Sequence, residues 1–312
     1  MRVLIFFILN GNKSDNTGFI FDRDTVLHLR IPFSFFLLPV FCFGVSQASS
    51  VHIAHAIIVF IALHFFIYPG SNIYNSYMDR DTGSIGGLKN PPPVTRKLYY
   101  ASIICDATGL LLCAITGLEN MVLMAVYVAF SKAYSWHGIR LKKYPYVSWL
   151  VIAFFQGGYT FMLAKMTAEN NTHISWFNTQ NILAMAIASL LIGGSYPLTQ
   201  IYQHDEDSRR GDNTISYRLG IKGTFIFTLM MFVLAAGLLF YYFSTYSRVF
   251  DFFIFSACLT PVMAYFLYWF FIAVKDKQNA GYAHVMLMNK ISAVCMVVCF
   301  TIIFMSNHVP VR

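Results

Sequence analysis

Over most of the chain the apolar residues come in unbroken runs, too long for a strand and too uniformly apolar for a half-buried surface helix. A bilayer core of about 30 Å is crossed by roughly 20 helical residues at about 1.5 Å each. On that measure spans are expected at 31–48, 52–74, 98–116, 120–135, 147–165, 180–200, 223–243, 252–274 and 286–306. The second and sixth runs pass into polar, charged sequence without a turn signal, so those two helices are expected to project beyond the lipid. Period-two alternation is missing, and lipid-facing backbone must pair its own polar groups, so the expected fold is all-α: a polytopic transmembrane bundle of about nine helices.

Composition agrees: of 312 residues 57% are hydrophobic and 12% charged, more apolar than a water-soluble surface tolerates. Eighteen of the 22 Lys and Arg fall on one side of this topology, three (Lys165, Arg248, Arg312) on the other, and Lys290 within a span. The positive-inside rule then places the N-terminus in the cytoplasm and the C-terminus outside, and the expected setting is a bacterial inner membrane. The net charge of +8 needs no nucleic acid as partner, because a basic face beside anionic lipid headgroups accounts for it. Six cysteines all lie inside spans with no CxxC pair and are expected to pack as apolar residues,. Residues 1–24 are expected to form an N-terminal extension and 25–312 the nine-helix domain; the opening MRVLIFFIL has no small-residue cleavage site after it,.

Ionisable groups at a membrane edge are costly and mark the first places to look for chemistry. After the second run, Asn75 and Asp79 lie four apart with Asn72 a turn earlier, on one helix face, followed by Asp81, Gly83 and Lys89,. After the sixth run come Gln203-His204-Asp205-Glu206-Asp207-Ser208-Arg209-Arg210-Gly211, in which Gln203 and Asp207 are again four apart. Either segment alone reads as a solvated loop of mixed charge. Together they repeat one pattern: an amide and a carboxylate at the end of a long helix, then cations and glycines. Oxygen donors of this kind suit Mg2+, and guanidinium groups suit phosphate.

These residues resemble the UbiA superfamily of intramembrane prenyltransferases, which carries an NDxxDxxxD motif after its second helix and a DxxxD motif after its sixth. Asn75-Ser76-Tyr77-Met78-Asp79-Arg80-Asp81-Thr82-Gly83 stands at the first, Gln203 to Asp207 at the second, and Asp212 to Gly220 resembles the stretch that follows. The likeness covers roughly 25–306. Tyr134 to Pro145 resembles the family's Tyr…Lys-Arg-Tyr loop, and Lys89-Asn90-Pro91 stands where an Arg-Pro step is usual. The resemblance implies a Mg2+-dependent transfer from a polyprenyl diphosphate donor to an aromatic or other small acceptor, as in the making of quinone-like lipids, within membrane lipids. It implies Asn75, Asp79, Asp81, Gln203, Asp205, Glu206 and Asp207 as metal ligands, with Asn75, Asp79 and Asp207 central to catalysis. Lys89, Arg140, Lys142, Lys143, Arg209, Arg210 and Tyr134 are then expected around the diphosphate. For Arg140, Lys142 and Lys143 a topogenic basic loop is the equal alternative. Ser76, Gly83 and Gln203 depart from the family's Asp, which bears on metal number and on activity. Two other readings stay open: a transporter or lipid-binding protein with a non-catalytic cation site, and a family member without activity.

Overall fold

A computed structural model of the protein describes residues 19–170 and 176–308; most of the expected extension over 1–24 lies outside the described residues. Among them, nine long helices form one bundle: α1 Arg23–Ser46, α2 Ile53–Asp79, α3 Arg96–Thr116, α4 Leu118–Ser135, α5 Pro145–Glu169, α6 Thr179–Leu198, α7 Ile215–Thr245, α8 Val249–Lys275 and α9 Tyr282–His308. All but α4 are long and apolar enough to cross a bilayer. The protein is an all-α integral membrane protein, as the apolar runs require.

Local chemistry explains where the helices bend. In α1, Asp22 caps the first turn by accepting from the Thr25 amide at 2.9 Å,. The helix then breaks at Arg30, which adopts φ 49°, just ahead of Pro32. In α2 a π-turn at Ala62–Ile67 precedes Pro69, whose missing N–H cannot continue the ladder. A second π-turn, Ala153–Tyr159 in α5, lies where Gly157 lets α6 approach: a Cβ there would sit 2.7 Å from the Ala188 carbonyl.

The sixth apolar run does not continue as one helix into its acidic tail, contrary to expectation. Pro197 cannot donate to the Gly193 carbonyl one turn back, and that oxygen instead accepts from Trp149 Nε1 at 2.8 Å,. α6 ends at Leu198, a 3-10 turn Ile201–Gln203 follows, and a short helix His204–Arg210 carries the acidic residues. The second run behaves as expected, since α2 remains helical to Asp79, where Arg80 at φ 53° ends it.

The core is aromatic. Phe43 of α1 stacks on Phe300 of α9 with centroids 4.7 Å apart, and Trp269, Phe225 and Phe266 pack beside them. Two ion pairs set a buried carboxylate against a partly exposed cation. Lys132 of α4 lies 2.7 Å from Asp106 of α3. Arg248, ahead of α8, contacts Asp251 at 2.5 Å, while Gln47 Oε1 accepts from both Arg248 Nη1 and the Tyr242 hydroxyl at 3.0 Å.

Candidate active site

The opposite end of the bundle gathers both acidic segments around one cavity of about 220 Å³. Asp79 is the last helical residue of α2, and its Oδ2 accepts from Asn75 Nδ2 at 2.7 Å; the same amide donates to Ser135 Oγ of α4 at 2.9 Å. Lys142 Nζ lies 2.5 Å from Asp79 Oδ1 and 3.4 Å from Asp212 Oδ2. Arg140 Nη2 lies 3.0 Å from the same Asp212 oxygen. Partial burial works against the Arg140 charge, yet the bond to Asp212 and the neighbouring carboxylates hold its pKa above the ordinary value,. The 4–5 loop therefore reaches across to both acidic segments.

The two acidic segments also bind each other. Glu206 Oε1 accepts from the Thr82 amide at 3.2 Å, and Gln203 Nε2 donates to the Ser84 carbonyl at 3.2 Å. A Cβ on Gly83 would meet Glu206 Oε2 at 2.6 Å. The Glu206 carboxylate thus occupies the space that a side chain at 83 would enter. Ser76, the other departure in the first motif, is 2% exposed, donates to the Asn72 carbonyl of its own helix and does not line the cavity. Asp207 Oδ2 accepts from Thr214 Oγ1 at 3.2 Å.

Of the sequence-predicted residues, Asn75, Asp79, Asp81, Tyr134, Lys142, Gln203, Glu206 and Asp207 line the cavity, and Arg140 stands behind it through Asp212. Lys89, Lys143, Asp205 and Arg209 are exposed and do not line it. Asp205 and Arg209 each lie two residues from Asp207, about 200° around a helix, so they face away from it. The side chain of Arg210 lies outside what is described. Sequence reasoning missed Asp212, 4% exposed at the centre of the ion-pair network. It also missed Tyr196, whose hydroxyl bonds to that of Tyr134 and accepts from Gln200 Nε2 at 2.8 Å. Asp212 closes the polar run after α6, a position that could have drawn notice; nothing in the sequence marks Tyr196. Arg30 reaches in from the break in α1 and donates to the carbonyls of Asn72 and Gly86 at 2.5 and 3.2 Å.

The lining holds five carboxylates (Asp79, Asp81, Glu206, Asp207, Asp212) against two cations, Arg30 and Lys142. Such an excess calls for added positive charge. The donors are all oxygen, the chemistry Mg2+ prefers, and buried Asp79 Oδ1 makes no aligned hydrogen bond despite its contact with Lys142. The residues fit a divalent cation as a donor set; among the described residues no three His, Cys, Asp or Glu side chains converge to ligate one point. Seven residues, among them Asn72, Tyr127, Gln156 and Tyr196, also line a second, apolar cavity of about 250 Å³ that continues inward between α1, α6 and α9.

The UbiA prenyltransferase family matches residues 36–307. No curated protein matches the chain. Among solved structures, a UbiA homolog from Archaeoglobus fulgidus bound to DMAPP and Mg2+ is similar at a TM-score of 0.67 and 18% identity, over 90% of this chain and 99% of that one. The apo UbiA homolog from Aeropyrum pernix K1 is similar at 0.64 and 16%, over 89% and 98%. A structure concerning digeranylgeranylglyceryl phosphate synthase is similar at 0.59 and 17%, over 91% and 98%. At such identities the structural likeness speaks for the fold.

Proposed function

The chain belongs to the UbiA prenyltransferase family, and on that premise we propose that it transfers a polyprenyl group from its diphosphate to a small, aromatic acceptor within the membrane, as in quinone-like lipid synthesis. The observation that carries the reading is a carboxylate-rich chamber continuous with an apolar one. A cation held by excess carboxylates, an anionic diphosphate and an apolar tail fill those spaces in order. The positive-inside rule supports a cytoplasmic mouth, a cytoplasmic N-terminus and an outer C-terminus.

Mg2+ would be held by Asn75, Asp79 and Asp81 on one side and Glu206 and Asp207 on the other, and when bound it neutralises the diphosphate. Lys142 and Arg140 stand ready to oppose the negative charge that grows on the leaving group as the allylic C–O bond breaks and its electron pair departs with the diphosphate. The acceptor then bonds to the allylic carbon and gives up a proton. Phe130 and Phe155, stacked with centroids 4.2 Å apart, and Tyr127 line the chamber and offer ring faces to the allylic cation,. Asn75, itself anchored on Ser135 Oγ, holds Asp79 in place.

The test is thermal stabilisation of the purified protein by geranyl diphosphate, with Mg2+ and with EDTA, alongside Asp79→Ala and Asp207→Ala. A ligand that binds only the folded state raises apparent stability by mass action. Stabilisation that needs Mg2+ and both aspartates is expected; stabilisation unaffected by EDTA or by either substitution would overturn the reading.

A further inference from the structure

The apolar chamber has a measurable depth. Its lining runs from Phe33 to Phe43 on α1, from Thr199 back to Ala188 on α6 and from Asn289 to Phe300 on α9. Phe33 and Thr199, at the near ends, also line the carboxylate chamber. Each stretch covers ten or eleven residues, which at about 1.5 Å per residue makes the chamber about 16 Å deep. Every residue that lines it is buried or half-buried, so the space lies inside the bundle.

Aromatic rings stand at the inner end. Phe43, 1% exposed, stacks on Phe300, 2% exposed, with centroids 4.7 Å apart, and the ring of Phe161 on α5 lies 4.8 Å from that of Phe43. Beyond them the bundle is solid. A Cβ on Gly44 would come 2.5 Å from the Phe161 carbonyl, so α1 and α5 touch directly. Ile303, nearly a turn past Phe300 on α9, belongs to the buried core and lines neither chamber. An extended chain advances about 1.2 Å per bond, so the four chain bonds of an isoprene unit take about 5 Å, and about three units fill the depth. Resting on the prenyltransferase reading, we propose that the Phe43–Phe300 stack is the floor of the tail site and sets the donor's length at about three isoprene units. A fourth unit meets an interior at crystal-like packing density, which gives way only at a cost.

Geranyl, farnesyl and geranylgeranyl diphosphates, of two, three and four units, are titrated with Mg2+ into the full-length protein in nanodiscs and read by thermal stabilisation. The three free alcohols run in parallel without Mg2+. The unmodified protein is expected to bind the farnesyl compound about tenfold more tightly than the geranylgeranyl one, the lower end of what overpacking a filled interior costs. Phe300→Ala, which opens the floor, is expected to bring that ratio to one or below; Phe300→Leu moves it the same way by less and serves if the alanine variant does not fold. Ala188→Leu, which fills the inner end from α6, is expected to lower the ratio of farnesyl to geranyl binding instead. Equal binding of three and four units by the unmodified protein, or a ratio that the Phe300 variants preserve, overturns the proposal. The alcohols separate it from the prenyltransferase reading. A length preference among them without Mg2+-dependent binding of any diphosphate removes that reading and keeps the floor, whereas diphosphates that bind regardless of length keep the reading and remove the floor. No binding of either series overturns both.

Discussion

Two networks of charged side chains occupy opposite ends of the bundle and differ in how their charges balance. At the far end Arg248 is answered by Asp251 and by the Gln47 amide oxygen, which also receives the Tyr242 hydroxyl. Cations and carboxylates balance, and neither Arg248 nor Asp251 lines a described cavity. At the site end five lining carboxylates meet two lining cations around open space. A closed network holds helices together; an open one with surplus charge waits for a ligand. Charge at a membrane edge therefore signals function through its imbalance more than through its presence.

The largest effect that would sharpen this contrast is Asp79→Asn. Prenyl transfer is expected to fall on the order of 100-fold or more, the scale of losing one preorganised electrostatic partner, with little change in thermal stability. Asp251→Asn is expected to do the reverse, leaving transfer intact and lowering the unfolding temperature. If both substitutions acted alike, the two networks would not differ in kind.

Next in size is Arg248→Met, which strands the Asp251 carboxylate at 4% exposure. Removing one partner of a fully buried pair costs about 3–5 kcal/mol. Less is expected here, about 2 kcal/mol, because the Arg248 side chain keeps 24% of its exposure; equilibrium unfolding measures it. Smaller again is Gly83→Asp, which sets a sixth carboxylate against Glu206, whose Oε2 would be 2.6 Å from the new Cβ. Weaker Mg2+-dependent donor binding is expected, with recovery in Gly83→Asp/Glu206→Gly. The coupling in that double-mutant cycle should be about 1 kcal/mol, within the range for contacting residues; additive effects would show that Glu206 does not stand in for the missing carboxylate.

Smallest is the pair outside both networks, Asp22 with Lys97 at 2.7 Å. Partial burial alone would raise the Asp22 pKa, but bonds from Lys97 and Thr25 outweigh it and hold it below the ordinary 3.8. Its contribution is therefore present above pH 3.8 and lost as the pH falls through the lower folded value,. Asp22→Asn should cost only a few tenths of a kcal/mol at pH 7, as partly exposed pairs do.

Much of the fold was legible because a span is a matter of length and polarity, both properties of contiguous residues. The nine runs each became a helix, and the spacing of Asn75 and Asp79 reported a real contact, since i and i+4 share a helix face wherever the helix goes,. The break after Leu198 was less legible. It depends on Pro197 freeing the Gly193 carbonyl, which Trp149, 44 residues earlier in the sequence, then occupies. The intramembrane pair of Asp106 and Lys132 also escaped notice, because Asp106 reads singly as an isolated charge inside one run and Lys132 as a charge near the end of the next.

The sequence by itself determined an all-α membrane bundle, the two acidic segments and the helix face that Asn75 and Asp79 share, because those follow from local periodicity and hydrophobic length. Tertiary structure alone decided that Asp212 would stand between Arg140 and Lys142, that Glu206 would fill the space left by Gly83, and that Lys89, Lys143, Asp205 and Arg209 would face away from the cavity. The physical reason is that these outcomes depend on how separate helices rotate and dock. Helix rotation is set by the packing of distant side chains, which no single segment encodes.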